Sequence, residues 1–171
     1  MSNVWKKEFG KKDKILPNKI AIEYCNELYN ITNKKVIAKV SAYNVNFKDM
    51  NENSVVFNMI KSNPLFDSNN IQDFLGEVEG NDKFTYEMYL TGVNTKNYKY
   101  RFCFIEYGIT GYPLKIAIDT DIANELEKSL VVECANEEEY KKLLIEILNS
   151  KKLTDVIEGL MAINSEKNSL A

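Results

Sequence analysis

Histidine is absent from the 171 residues of this chain. Without an imidazole there is no Ser-His-Asp or Cys-His activation of a nucleophile, no histidine general acid or base, and no His-ligated zinc. The side chain whose ordinary pKa lies between 5 and 8 is missing too, so any chemistry falls to carboxylates, Lys, Tyr or Cys. Arginine is nearly absent: of 22 basic side chains, Arg101 is the only one that is not lysine. The planar guanidinium fork that reads phosphates and base edges is therefore scarce. With a net charge of -3, the chain also lacks the basic footprint of a nucleic-acid binder.

The 3 cysteines, Cys25, Cys103 and Cys134, lie far apart, and no CxxC occurs. An odd number of scattered thiols reads as buried, reduced cysteine in the cytoplasm rather than a disulfide framework. No phosphate loop, dinucleotide fingerprint, EF-hand loop or HExxH is found, so no cofactor and no metal is expected. No apolar run approaches the ~18 residues of a membrane span. The opening MSNVWKKEFGKKDK has no apolar core of the kind export requires, which again points to a cytoplasmic protein without a membrane association.

Hydrophobic residues make up 44% and charged residues 27%, which suits one soluble domain over residues 1–171. Residues 1–17 read as a loosely held arm with Trp5 and Phe9 as anchors, and 164–171 as a frayed tail. The joint abundance of Lys, Asn and Ile suggests an AT-rich genome: a low-GC bacterium, a phage or a mobile element.

Hydrophobic periodicity organises the rest. From Lys19 to Ile31, the residues Ile20, Tyr24, Leu28 and Ile31 form one stripe, widened by Ala21 and Cys25, and predict an amphipathic helix. Lys34–Phe47 alternates loosely and reads as a strand. Short helices are expected over 55–60 and 67–75, and an exposed loop over 77–83.

The centre of the chain, Phe84–Asp119, contains three alternating runs joined by turns. Strict alternation places Tyr98, Tyr100, Phe102 and Phe104 on one face of the middle run, and Arg101, Cys103, Ile105 and Tyr107 on the other. A helix through Lys128 follows, capped by Thr120 or Asp121, and then a short strand over 130–134. Asn136 with Glu139 has capping-box spacing, ahead of the stripe Tyr140, Leu143, Leu144, Ile147 and Leu148. A last helix carries Leu153, Val156, Ile157, Leu160 and Met161. Its Gly159, costly inside a helix, suggests close packing against a neighbour. The order predicts an α+β fold: an antiparallel meander-type sheet with helices on one face and a C-terminal helix pair.

The carboxylates Glu106, Asp119 and Asp121 are the available donors for acid–base or Mg²⁺ chemistry, but Asp119-Thr120-Asp121 reads better as a helix cap. The crowding of tyrosines on both faces of the sheet is more suggestive, because Tyr supplies contact area with a polar handle. These features lead to an expectation of a non-enzymatic, intracellular protein-interaction module. An immunity-type inhibitor or a phage or mobile-element counter-defence protein would fit. The expected contact surface comprises Tyr86, Tyr89, Tyr107 and Tyr112 with Glu87 and Glu106 as an acidic rim, and its partner is another protein. A small ligand-binding or carboxylate-based enzymatic domain is the alternative reading, with nucleic-acid binding behind it. Oligomeric state is not legible.

Overall fold

The computed structural model of the chain describes residues 14–44 and 83–169. The expected helices over 55–60 and 67–75, the loop over 77–82, and the anchors Trp5 and Phe9 lie outside the described residues. In chain order the elements are α1 (Pro17–Ile31), β1 (Val36–Ala42), β2 (Phe84–Gly92), β3 (Thr95–Tyr107), β4 (Leu114–Ile118), α2 (Thr120–Glu125), β5 (Val131–Cys134), α3 (Glu137–Leu148) and α4 (Lys151–Ser169).

The five strands form one sheet in the order β1-β2-β3-β4-β5, every neighbouring pair antiparallel. This is the expected α+β meander. Its core face carries Val36, Ala38, Met88, Leu90, Ile105, Leu114 and Ile116, all buried against Ile20 and Ala21 of α1, Ile122 of α2, Tyr140, Leu144 and Ile147 of α3, and Leu153 and Leu160 of α4. Each Leu or Ile removed from water here contributes about 1.5–3 kcal/mol, which holds the helices on that one face.

The helix starts follow local chemistry. Pro17 begins α1, where its missing N–H costs nothing. Asp119 caps α2, its carboxylate accepting from Asp121 N at 3.0 Å and Ile122 N at 3.3 Å. Asn136 caps α3 by accepting from Glu139 N at 3.0 Å, and Glu139 reaches back to accept from Ala135 N at 2.8 Å. That is the expected reciprocal box, displaced by one residue on its return arm.

Strict alternation fails in β3. Met88 pairs with Cys103 while the next residue, Tyr89, pairs with Arg101, so Phe102 is an extra residue. This β-bulge turns Phe102 and Cys103, adjacent in sequence, both into the interior, at 0% and 2% exposure. Beyond it the phase inverts. Tyr100, Cys103, Ile105 and Tyr107 share the core face, and Phe104 and Glu106 take the opposite one, contrary to the face assignment expected from the sequence. The bulged carbonyl stays satisfied, since Phe102 O accepts from Asp119 N at 2.9 Å.

The C-terminal helix α4 runs to Ser169. Asn164 is 1% exposed, donates to Leu160 O at 2.6 Å and accepts from Asn94 N at 2.7 Å. Ser165 accepts from Lys35 Nζ at 2.7 Å. These bonds tie the last turns of α4 to the start of β1 and to the β2–β3 turn. Gly159, in contrast, faces open space: a Cβ added there meets nothing within 4 Å.

Candidate functional site

The six residues expected to form one contact surface are divided by the sheet. Tyr86 and Tyr107 lie on the core face, their rings stacked with centroids 5.9 Å apart. Tyr107 is buried and its hydroxyl donates to Asn18 Oδ1 at 2.9 Å. Tyr112, just before β4, is half-buried against Tyr140, centroids 6.3 Å apart. Burial holds the Tyr112 hydroxyl at about 12, with Glu137 and Cys134 adding to the effect.

Glu87, Tyr89 and Glu106 sit on the opposite face. Glu87 is 5% exposed and is bracketed by Lys99 and by Arg101, whose Nη2 lies 2.7 Å from its Oε2. Arg101 in turn lies over the Tyr43 and Phe104 rings at 5.3 and 5.1 Å, and Lys99 lies over Tyr89 at 4.1 Å. A buried carboxylate needs such partners to offset its desolvation. Glu106, also 5% exposed, has Lys83 Nζ at 3.6 Å.

The carboxylates weighed for chemistry have separate duties. Asp119 caps α2, Asp121 pairs with Lys152 at 2.6 Å, and Glu106 is on the far side of the sheet from both helices. Among the described residues, no group of three His, Cys, Asp or Glu side chains is placed to hold a metal ion. The thiols are shielded as well. Burial raises Cys25 to about 12, raises Cys103 well above its ordinary value, and raises Cys134 to about 11. A thiol held protonated is a poor nucleophile. No described helix is long and apolar enough to cross a membrane.

A different feature stands out on the helical side. Between α1, α3 and α4 runs an open groove of about 530 Å³. Its floor is Ala38 and Leu90 of the sheet with Cys25 of α1. One bank is Tyr24, Leu28 and Ile31 of α1, and the other is Leu153, Ile157 and Met161 of α4, with Ile145 and Leu148 of α3 closing one end. The groove arises from how the helices are anchored. The first half of α1 is pinned by Ile20 and Ala21, each buried, and by the bond from Tyr140 Oη to Pro17 O at 3.0 Å.

The exposure of the lining is what separates this groove from a packing defect. Ile31 is 72% exposed and Ile145 49%. Ile31 belongs to the stripe expected to be buried, and Ile145 lies outside the stripe of α3. Only Ile145 stood out in the sequence as an apolar residue outside its helix's stripe, and the packing of the helices brings it and Ile31 to the same groove. Glu27 and Glu158 also line the groove, and no lysine or arginine does so among the described residues.

Comparison with protein families, with curated proteins and with solved structures finds no match.

Proposed function

We propose that the protein is a non-enzymatic binding module, and that its binding face is the α1–α3–α4 groove, which seats an amphipathic helix of another protein. The observation that carries this reading is the pair of exposed isoleucines, Ile31 on the α1 bank and Ile145 at the α3 end of an apolar groove. Exposed apolar side chains scattered singly are ordinary, whereas a contiguous set around a concavity marks a contact site. The volume alone would also suit a small molecule. A ligand confined to the floor of Ala38, Cys25 and Leu90 would leave Ile31 and Ile145 wet, so an occupant that reaches from the α1 bank to the α3 end is favoured.

The dimensions fit a helix. Tyr24, Leu28 and Ile31 extend over about 10 Å of α1 at 1.5 Å per residue. That is the span of an i, i+4, i+7 set of anchors on an incoming helix. An inhibitor that occludes a toxin, or a counter-defence protein of a phage or mobile element, is the setting we favour for such a module, in the cytoplasm of a bacterial cell. Small size, an acidic balance and the lack of histidine support it.

The test is amide chemical-shift mapping with a labelled amphipathic peptide of about 14 residues, four helical turns. Shifts should concentrate on Tyr24–Thr32 and on Leu153–Met161. The paired exchange Ile31→Gln and Ile145→Gln should weaken binding at least about tenfold, while unfolding changes by no more than about 0.5 kcal/mol because both positions are exposed. Shifts confined to the opposite face of the sheet, around Tyr43, Tyr89 and Phe104, would sink the groove and restore the tyrosine surface.

A further inference from the structure

The groove carries information about the charge of its occupant, and this inference rests on the reading just given. Glu27 stands on the α1 bank and Glu158 on the α4 bank. Neither makes an ion pair or hydrogen bond among the described residues, whereas Glu87, Glu106, Asp121, Glu137 and Glu146 each have a cationic partner. Several acids of the fold are thus neutralised by lysine or arginine, but the two on the groove are left bare, on opposite sides of an apolar channel that no cation lines among the described residues.

We infer that the occupant is a basic amphipathic helix, with lysine or arginine flanking its apolar stripe on both sides. Apolar anchors would fill the channel, and cations one turn to either side would meet Glu27 and Glu158. Like charges facing each other across a contact are disfavoured, so the same two carboxylates select against an acidic helix. They also select against a second copy of this chain docked face to face. A two-fold contact through the groove would bring both copies' Glu27 and Glu158 together with no lining cation to separate them.

Three labelled peptides of about 14 residues with identical leucine spacing, and with Lys, Gln or Glu at every polar position, distinguish the possibilities. Fluorescence anisotropy gives their affinities for the full chain at low salt and at high salt. The Lys peptide should bind roughly tenfold tighter than the Gln peptide at low salt, two exposed charge pairs' worth, with the Glu peptide weakest. The preference should shrink at about 1 M salt, where screening acts within about 3 Å. The double exchange Glu27→Gln and Glu158→Gln, at exposed positions, should remove the preference and leave binding of the Gln peptide unchanged. Equal affinity for the Lys and Gln peptides overturns the charge inference and leaves the groove standing. A Lys preference that survives in the double variant overturns it as well, since the selecting charge then lies elsewhere. Failure of all three peptides to bind overturns the groove itself. Concentration-dependent dimerisation of the unliganded chain that the Ile31→Gln and Ile145→Gln exchange abolishes would make a second copy the occupant.

Discussion

Gly92 is where the C-terminal helix is locked to the sheet, and adding a single methyl there has a calculable effect. A Cβ on Gly92 would fall far inside van der Waals contact of Thr95 Oγ1 and Asn164 Nδ2, and 3.1 Å from Asn164 Cγ. The Asn164 amide cannot simply turn aside. It is 1% exposed, and its oxygen accepts from Asn94 N at 2.7 Å. Gly92→Ala therefore costs the overpacking, about 1–3 kcal/mol, and the bond from Asn94, about 1 kcal/mol. We expect a loss of about 3 kcal/mol. Asn164→Ala alone removes the same bond and leaves a small void, a loss of about 2 kcal/mol. In the double variant the bond is lost only once and the new methyl occupies the void. Its cost should be at most about 3 kcal/mol rather than the additive 5, a coupling of at least about 2 kcal/mol. Urea unfolding followed by far-UV circular dichroism reads this directly, provided the slope against denaturant is unchanged. Additivity within about 0.5 kcal/mol would refute the packing described here. So would a neutral Gly92→Ala, which would detach the end of α4 from the sheet.

Two further outcomes follow from burial. Gly159→Ala should stabilise the protein by about 1 kcal/mol, since the position is mid-helix, exposed and free of any neighbour, and an unchanged or lowered urea midpoint would mean that α4 does not run straight through it. The alkaline limb should be steep. Burial raises Cys25 to about 12 and Cys134 to about 11 from 9.0, and lifts Tyr100, Tyr107 and Tyr140 above 10.0, Tyr100 with help from Asp119. The protonated forms are those the fold prefers, so this stability is complete below the unfolded values and is lost as pH rises from about 9 upward, at up to about 1.4 kcal/mol per unit for a fully buried group. Urea midpoints between about pH 8 and about pH 11 should fall, less steeply in Cys25→Ala; a flat profile would contradict the burial.

The sheet was largely readable from sequence because alternation is local: each strand's partners repeat the same period, and turns separate them. The phase of β3 beyond Arg101 was not. A bulge is decided by the strand across from it, by Met88 and Tyr89 pairing two residues apart on β3, and one strand's own alternation holds no trace of that. The reach of α4 was hidden for a similar reason. Asn164 and Ser165 are ordinary polar residues until Asn94 and Lys35 are brought to them from distant parts of the chain. The groove sat between these cases. Ile145 was visible as an apolar residue outside the α3 stripe and Ile31 as the end of the α1 stripe, but whether they close on each other or stand apart depends on helix angles that periodicity does not encode.

The order β1-β2-β3-β4-β5 has a consequence for how the chain folds. Strands β2 to β5 meet through short connections, whereas β1 and β2 are separated by residues 43–83. Closing a loop costs entropy that grows with its length, by only about 0.6 kcal/mol per doubling once it is long. The four-stranded portion from Phe84 onward, with its helices, is therefore expected to form early, and α1 with β1 to dock afterwards as the final strand. The groove, whose α1 bank arrives in that last step, would be the youngest part of the fold.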